Sequence, residues 1–168
     1  VLWTDRTPML DNPPGRFGTQ IAYDAVRQRV VMHGGRATTG GTPLTDTWEW
    51  DGTRWELRDA AGPPQGARWV QLAYDEAKQQ MIYCGVDGPG GVSTGTYRWD
   101  GVTWTNTMVA CPYDNSGTSA PDRLAYDPVR MRIVLVQTDG LAFEWNDDLP
   151  AWEPTGPLPD WPRRFAGL

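Results

Sequence analysis

The sequence predicts an all-β chain assembled from repeated four-stranded antiparallel units, and three observations carry that expectation. Nineteen glycines and fifteen prolines among 168 residues are too many for long helices, yet fall short of the ~25 to 30% Pro plus Gly that marks low-complexity disorder. The phrase Ala-Tyr-Asp occurs three times, at Ala22-Tyr23-Asp24, Ala73-Tyr74-Asp75 and Ala125-Tyr126-Asp127, with tyrosines 51 and 52 residues apart. A second phrase closes each copy: Trp48-Glu49-Trp50-Asp51-Gly52 then Trp55, Tyr97-Arg98-Trp99-Asp100-Gly101 then Trp104, and Phe143-Glu144-Trp145-Asn146-Asp147 then Trp152.

The first strand of each copy runs into Ala-Tyr-Asp, whose Asp opens a tight turn ending at a basic residue, Arg27, Lys78 or Arg130. The second strand is β-branched or apolar, at 30–32, 81–83 and 133–136, and glycine closes it in two copies, at Gly34-Gly35 and Gly85. After a variable Gly-rich loop, the third strand is aromatic-x-aromatic, so its two rings share one face by the period of two. Asp51-Gly52 and Asp100-Gly101 then suit a tight hairpin, because Gly takes positive φ cheaply. The fourth strand carries one Trp, and a Pro-rich link leads on.

A four-stranded unit every ~50 residues is the pattern of a propeller blade, and that period belongs to kelch repeats. In register, residues 1–12 supply the fourth strand of a partial blade, 13–62, 63–111 and 112–156 form three blades, and 157–168 open another. The third blade is expected to be the least regular: Gln137-Thr138 stands where the glycines should be, and the link 111–122 is longer. Three blades are too few to close a ring. The rest are expected from a second copy, from another chain, or from a longer parent, and the Val1 start fits a processed or excised chain.

Pro13-Pro14-x-Arg16, Ala22-Tyr23-Asp24, Arg27-x-Arg29-Val30-Val31, Gly34-Gly35, Asp46-Thr47-Trp48-Glu49-Trp50-Asp51-Gly52 and Trp55 together resemble the bacterial kelch repeats that are similar to the central domain of galactose oxidase. The resemblance spans nearly the whole chain and implies a kelch-type β-propeller. It carries no oxidase chemistry with it. His33 is the one histidine, so no site of several imidazoles can be assembled, and a Ser-His-Asp relay would have to use a strand-end residue. No catalytic residue, cofactor or metal is expected. Asp87-Gly88-Pro89-Gly90-Gly91 lacks the spaced carboxylates of a calcium loop, and the Gly-rich loops lack the Lys-Ser/Thr of a phosphate cradle.

Ten tryptophans suggest a binding surface until they are put in register. Trp50, Trp99 and Trp145 end third strands; Trp3, Trp55, Trp104 and Trp152 sit on fourth strands; Trp48 matches Tyr97 and Phe143. These are expected to pack between blades, with Trp50, Trp99 and Trp104 all deeply buried. Trp69 and Trp161 are left over. Arg16-Phe17, Arg68-Trp69 and Arg164-Phe165 each follow proline at the entrance to a first strand. The link before strand one and the loop after strand two lie on one propeller face, which would gather Arg16, Phe17, Arg68, Trp69, Arg164 and Phe165 with His33, Arg36, Asp87 and Asp139. Kelch proteins resembling this one commonly bind partners there. For the arginines the alternative is a clamp onto backbone carbonyls of the next blade.

Fifteen Lys plus Arg against 21 Asp plus Glu leave a net charge of −6, which argues against nucleic acid, whose binding needs clustered cations. No apolar run approaches the ~18 residues of a membrane span, and the N-terminus has no signal-peptide pattern. Cys84 and Cys111 are expected as free thiols, with one disulfide as the alternative in an extracellular chain. The functional expectation is a non-catalytic binding or assembly module for a protein or glycan, self-associating or joined by further blades, outside the cell or in its envelope. The alternatives are part of a kelch enzyme whose catalytic groups lie elsewhere, or a structural envelope protein.

Overall fold

The computed structural model describes residues 12–39, 41–63, 69–87, 92–112, 123–137 and 140–157. Twelve strands form in chain order: β1 (Gln20–Asp24), β2 (Arg29–His33), β3 (Thr47–Trp50), β4 (Trp55–Asp59), β5 (Trp69–Asp75), β6 (Gln80–Asp87), β7 (Val92–Trp99), β8 (Trp104–Asn106), β9 (Arg123–Asp127), β10 (Arg132–Val136), β11 (Leu141–Asn146) and β12 (Ala151–Pro157). They make three antiparallel sheets of four consecutive strands, here blades 1, 2 and 3. The first strands lie beside one another, β1 on β5 and β5 on β9. Blade 3, expected to be the least regular, forms the same four strands as the others.

The repeated polar residues shape the turns. Asp24, Asp75 and Asp127 each accept the backbone N–H three residues on, at 2.8, 3.1 and 3.1 Å. That turn ends in a left-handed residue in every blade, Gln28, Gln79 and Met131, with φ of 54°, 55° and 55°. In the hairpin between third and fourth strands, Asp51, Asp100 and Asn146 likewise accept from Arg54, Thr103 and Leu149 at 2.9, 2.8 and 3.1 Å. Side-chain acceptors thus satisfy turn N–H groups that no ladder serves.

Cross-strand partners share a sheet face, so the register sorts each blade into two unlike surfaces. In blade 2, Leu72 opposes Tyr83, Tyr83 opposes Tyr97, Tyr74 opposes Met81, Met81 opposes Trp99, and Trp99 opposes Trp104. This face of large side chains packs on Val31 and Ala22 of blade 1. The opposite face of blade 2, through Ala73 and Ile82, receives Ile133, Trp145 and Trp152 of blade 3. Every joint therefore sets a ring-rich face on a smaller, more polar one. The indole N–H groups find partners across the joints: Trp99 donates to Glu49 at 3.1 Å, Trp104 to Thr47 at 2.8 Å, and Trp152 to Thr96 at 2.8 Å. Buried tryptophans need such acceptors, because a desolvated N–H left unpaired is costly.

Two expectations change. Cys84 and Cys111 are joined in a disulfide across 27 positions, with Cα atoms 5.4 Å apart, and they pack with Leu135 of blade 3. The link leaving blade 2 folds back over β6, which places the two thiols together although the sequence separates them. Trp50 and Trp104 are half-buried, whereas Trp99 is enclosed: the ring-rich face of blade 1 has no described blade against it, and Trp104 stands on the edge strand β8. Among the described residues no helix is long and apolar enough to cross a membrane.

Candidate functional site

The link before β1 and the loop between β2 and β3 meet on one face of blade 1. Phe17 and Arg36 form a two-bond bridge, N to O at 3.0 Å each way, while Leu44 N–H bonds Gly35 O at 2.8 Å and Gly34 N–H bonds Asp46 O at 3.2 Å. Gly35 permits the approach: its φ is 96°, and a Cβ there would lie 2.9 Å from Phe17 O. Arg16, Phe17 and Arg36 therefore lie on the same two bridged segments, with His33 at the end of β2.

Their roles differ. Arg16 is almost wholly buried and forks onto Asp46, at 2.6 and 2.8 Å, with further bonds to Gly34 O at 3.0 Å and Pro14 O at 3.1 Å. Burial opposes ionisation of Asp46, but the Arg16 fork and the indole N–H of Trp48, donated at 2.6 Å, hold its carboxyl below the usual range. Arg16 is a clamp within its own blade and offers nothing to a ligand. A bidentate guanidinium is suited to that work.

His33 also leaves the candidate surface. It is 2% exposed, its Nδ1 lies 3.0 Å from Thr47 Oγ1, and its ring packs against Tyr83 at 5.3 Å and Trp104 at 5.1 Å. Burial pulls its pKa down to about 4, although Asp46 and Asp59 favour the charged form. It is a neutral core residue at pH 7. What faces outward is Phe17, 49% exposed, beside a half-buried Arg36 whose Nη1 donates to Gly41 O at 2.6 Å.

Of the other predicted residues, Trp69 begins β5, its backbone opposite Val86, and Asp87 ends β6 opposite Val92. Arg68, Asp139, Arg164 and Phe165 lie outside the described residues. No group of three or more His, Cys, Asp or Glu among the described residues is arranged to hold a metal.

The opposite face carries a feature that the sequence reading missed. Between blades 2 and 3, Asp75, Lys78, Arg130, Arg132, Asp147 and Asp148 line an open depression of about 310 Å³. Lys78 bonds Asp148 at 2.7 Å, Arg98 bonds Asp147 at 3.0 Å, and the Arg98 guanidinium lies 5.8 Å over the Trp145 ring. The signal was present at the middle position of aromatic-x-aromatic, which reads Glu49, Arg98, Glu144. Its charge inverts in blade 2 alone.

Three four-stranded meanders packed face to face, first strands adjacent, define this chain as blades of a β-propeller. It matches no protein-family model and no curated protein sequence. Among solved structures it is similar to one titled "Structure of YjhT", itself a propeller, at 14% identity with a TM-score of 0.53, over 85% of this chain and 46% of that one. The chain thus spans about half the length of that structure, and the likeness is one of fold.

Proposed function

We propose that the chain is a kelch-type, non-catalytic binding or assembly module that recognises a protein or glycan through the face where the Phe17 link meets the 34–46 loop. One observation carries this reading: an exposed aromatic ring stands on two segments hydrogen-bonded to each other and anchored by the Arg16–Asp46 fork. A ring held this way gives stacking area with little ordering cost on binding. Sugar faces and partner side chains both pack on such rings. His33, the one imidazole, is committed to Thr47 and kept neutral, which favours binding over proton transfer. The disulfide supports a place outside the cytosol.

A glycan array and a pull-down with the whole chain, repeated with Phe17→Ala, test the proposal. A ligand whose affinity falls at least about tenfold in the variant, at unchanged melting temperature, supports it. A ligand that binds the variant normally moves the site elsewhere.

A further inference from the structure

At the joint between blades 1 and 2, the receiving surface is a triad. Asp24 and Glu49 hold Arg27 between them at 2.7 Å each. Glu49 accepts the Trp99 indole N–H, the Tyr74 hydroxyl lies by Asp24, and Gly101 sits so close to the Arg27 guanidinium that a Cβ would come within 2.7 Å. The incoming surface of blade 2 is thus Tyr, Trp and Asp-Gly.

Blade 1 carries the same incoming set on its open face: Tyr23, Trp50 and Asp51-Gly52. Tyr23 and Ile21 are 55% and 61% exposed, and a Cβ on Gly52 would meet nothing. Blade 3 repeats the receiving triad on its own outer face, where Arg130 lies 2.6 Å from Asp127 and 3.7 Å from Glu144. Blade 2 offers the other kind of receiver, Lys78 and Arg98, which takes the Asp147-Asp148 hairpin of blade 3. A blade-1 hairpin has Gly52 where that receiver takes an acid. The two outer faces of the described blades therefore match each other in the register of the first joint.

We propose that the ring-rich face of blade 1 docks on the Asp127–Arg130–Glu144 face of blade 3 in a second copy of the chain. Two such contacts, related by a two-fold axis, close a six-bladed ring. Trp50 then donates to Glu144 and Gly52 lies over Arg130. Closure matters, because head-to-tail contacts that fail to close grow without limit, and six blades fall within the usual ~4 to 8.

Light scattering on the whole chain across the micromolar range reads the outcome. A cooperative, folded species of twice 18.7 kDa is expected. Ile21→Arg and Glu144→Lys, one on each face and neither in the chain's own described core, should each weaken association at least about thirtyfold while leaving near-ultraviolet dichroism intact. A folded monomer at high concentration, open-ended assembly, a chain that does not fold cooperatively, or a dimer that survives either variant overturns the proposal.

Discussion

Blades 1 and 2 place the same residues in the same register with opposite outcomes. Tyr74 is 7% exposed and Trp99 1%, whereas Tyr23 is 55% exposed and Trp50 half-buried. Within the sheets the pairs agree: Trp50 opposes Trp55 as Trp99 opposes Trp104, with ring centroids 5.7 and 5.3 Å apart. Only the neighbour differs. Burial pushes the Tyr74 hydroxyl up to about 12, with Asp24 beside it reinforcing the shift. A repeat thus encodes a surface made for contact, while its burial is conferred by whatever lies across the joint.

The largest test of that contrast is truncation of the two tryptophans. Trp99→Ala should cost about 3 to 5 kcal/mol, as for a buried large aromatic, in urea unfolding of the whole chain. Trp50→Ala, measured at concentrations too low for association, should cost clearly less. Equal losses would break the comparison.

Acid tests the covered joint through His33. Its folded pKa of about 4 lies below the ordinary 6.5, so between those values the unfolded chain binds a proton that the native one refuses. Stability should therefore fall as pH drops from about 6.5 to 4, by on the order of 3 kcal/mol, and this contribution is flat below that window. Asp24 and Asp46, whose carboxyls are held low in the fold, add losses only at more acid pH. His33→Gln should flatten the upper part of the melting-temperature profile; an unchanged slope would mean that the imidazole is charged in the native state.

A smaller effect separates the first joint from the second. Thr47 serves both His33 and the Trp104 indole, whereas Thr96 accepts from Trp152. Thr47→Val should cost about 1 to 3 kcal/mol, and Thr96→Val should fall at the lower end of that range. The smallest effect is a control that ignores the joints. Glycine at Gln28, Gln79 or Met131 relieves a left-handed backbone and should stabilise each turn by up to about 1 kcal/mol. Similar gains in all three blades would show that the turns are independent of what covers the faces.

The all-β class and the repeat of four antiparallel strands were legible because they follow from periodicity and turn chemistry, both local. His33 misled as a surface candidate, and Arg16 proved a clamp onto its own blade rather than the next, because their partners are distant: Asp46 arrives from the far end of a loop, and Thr47 with Trp104 closes over the imidazole from the next strand and the next blade. The disulfide depends on how the link after β8 folds back, which no spacing rule contains. Phe17 stands outside the repeat's packing positions and is exposed.

The Cys84–Cys111 bond also bears on how the chain would respond to tension. It encloses β7 and β8 in a covalent ring anchored on β6. Pulling on the chain's two ends can peel blades 1 and 3 strand by strand, but the force path through blade 2 runs across the sulfur bridge and bypasses the enclosed segment. Some 27 residues, roughly 90 Å of extended contour, stay hidden until a reductant opens the bond. A stretched molecule would therefore have two lengths, set by the redox potential of its surroundings.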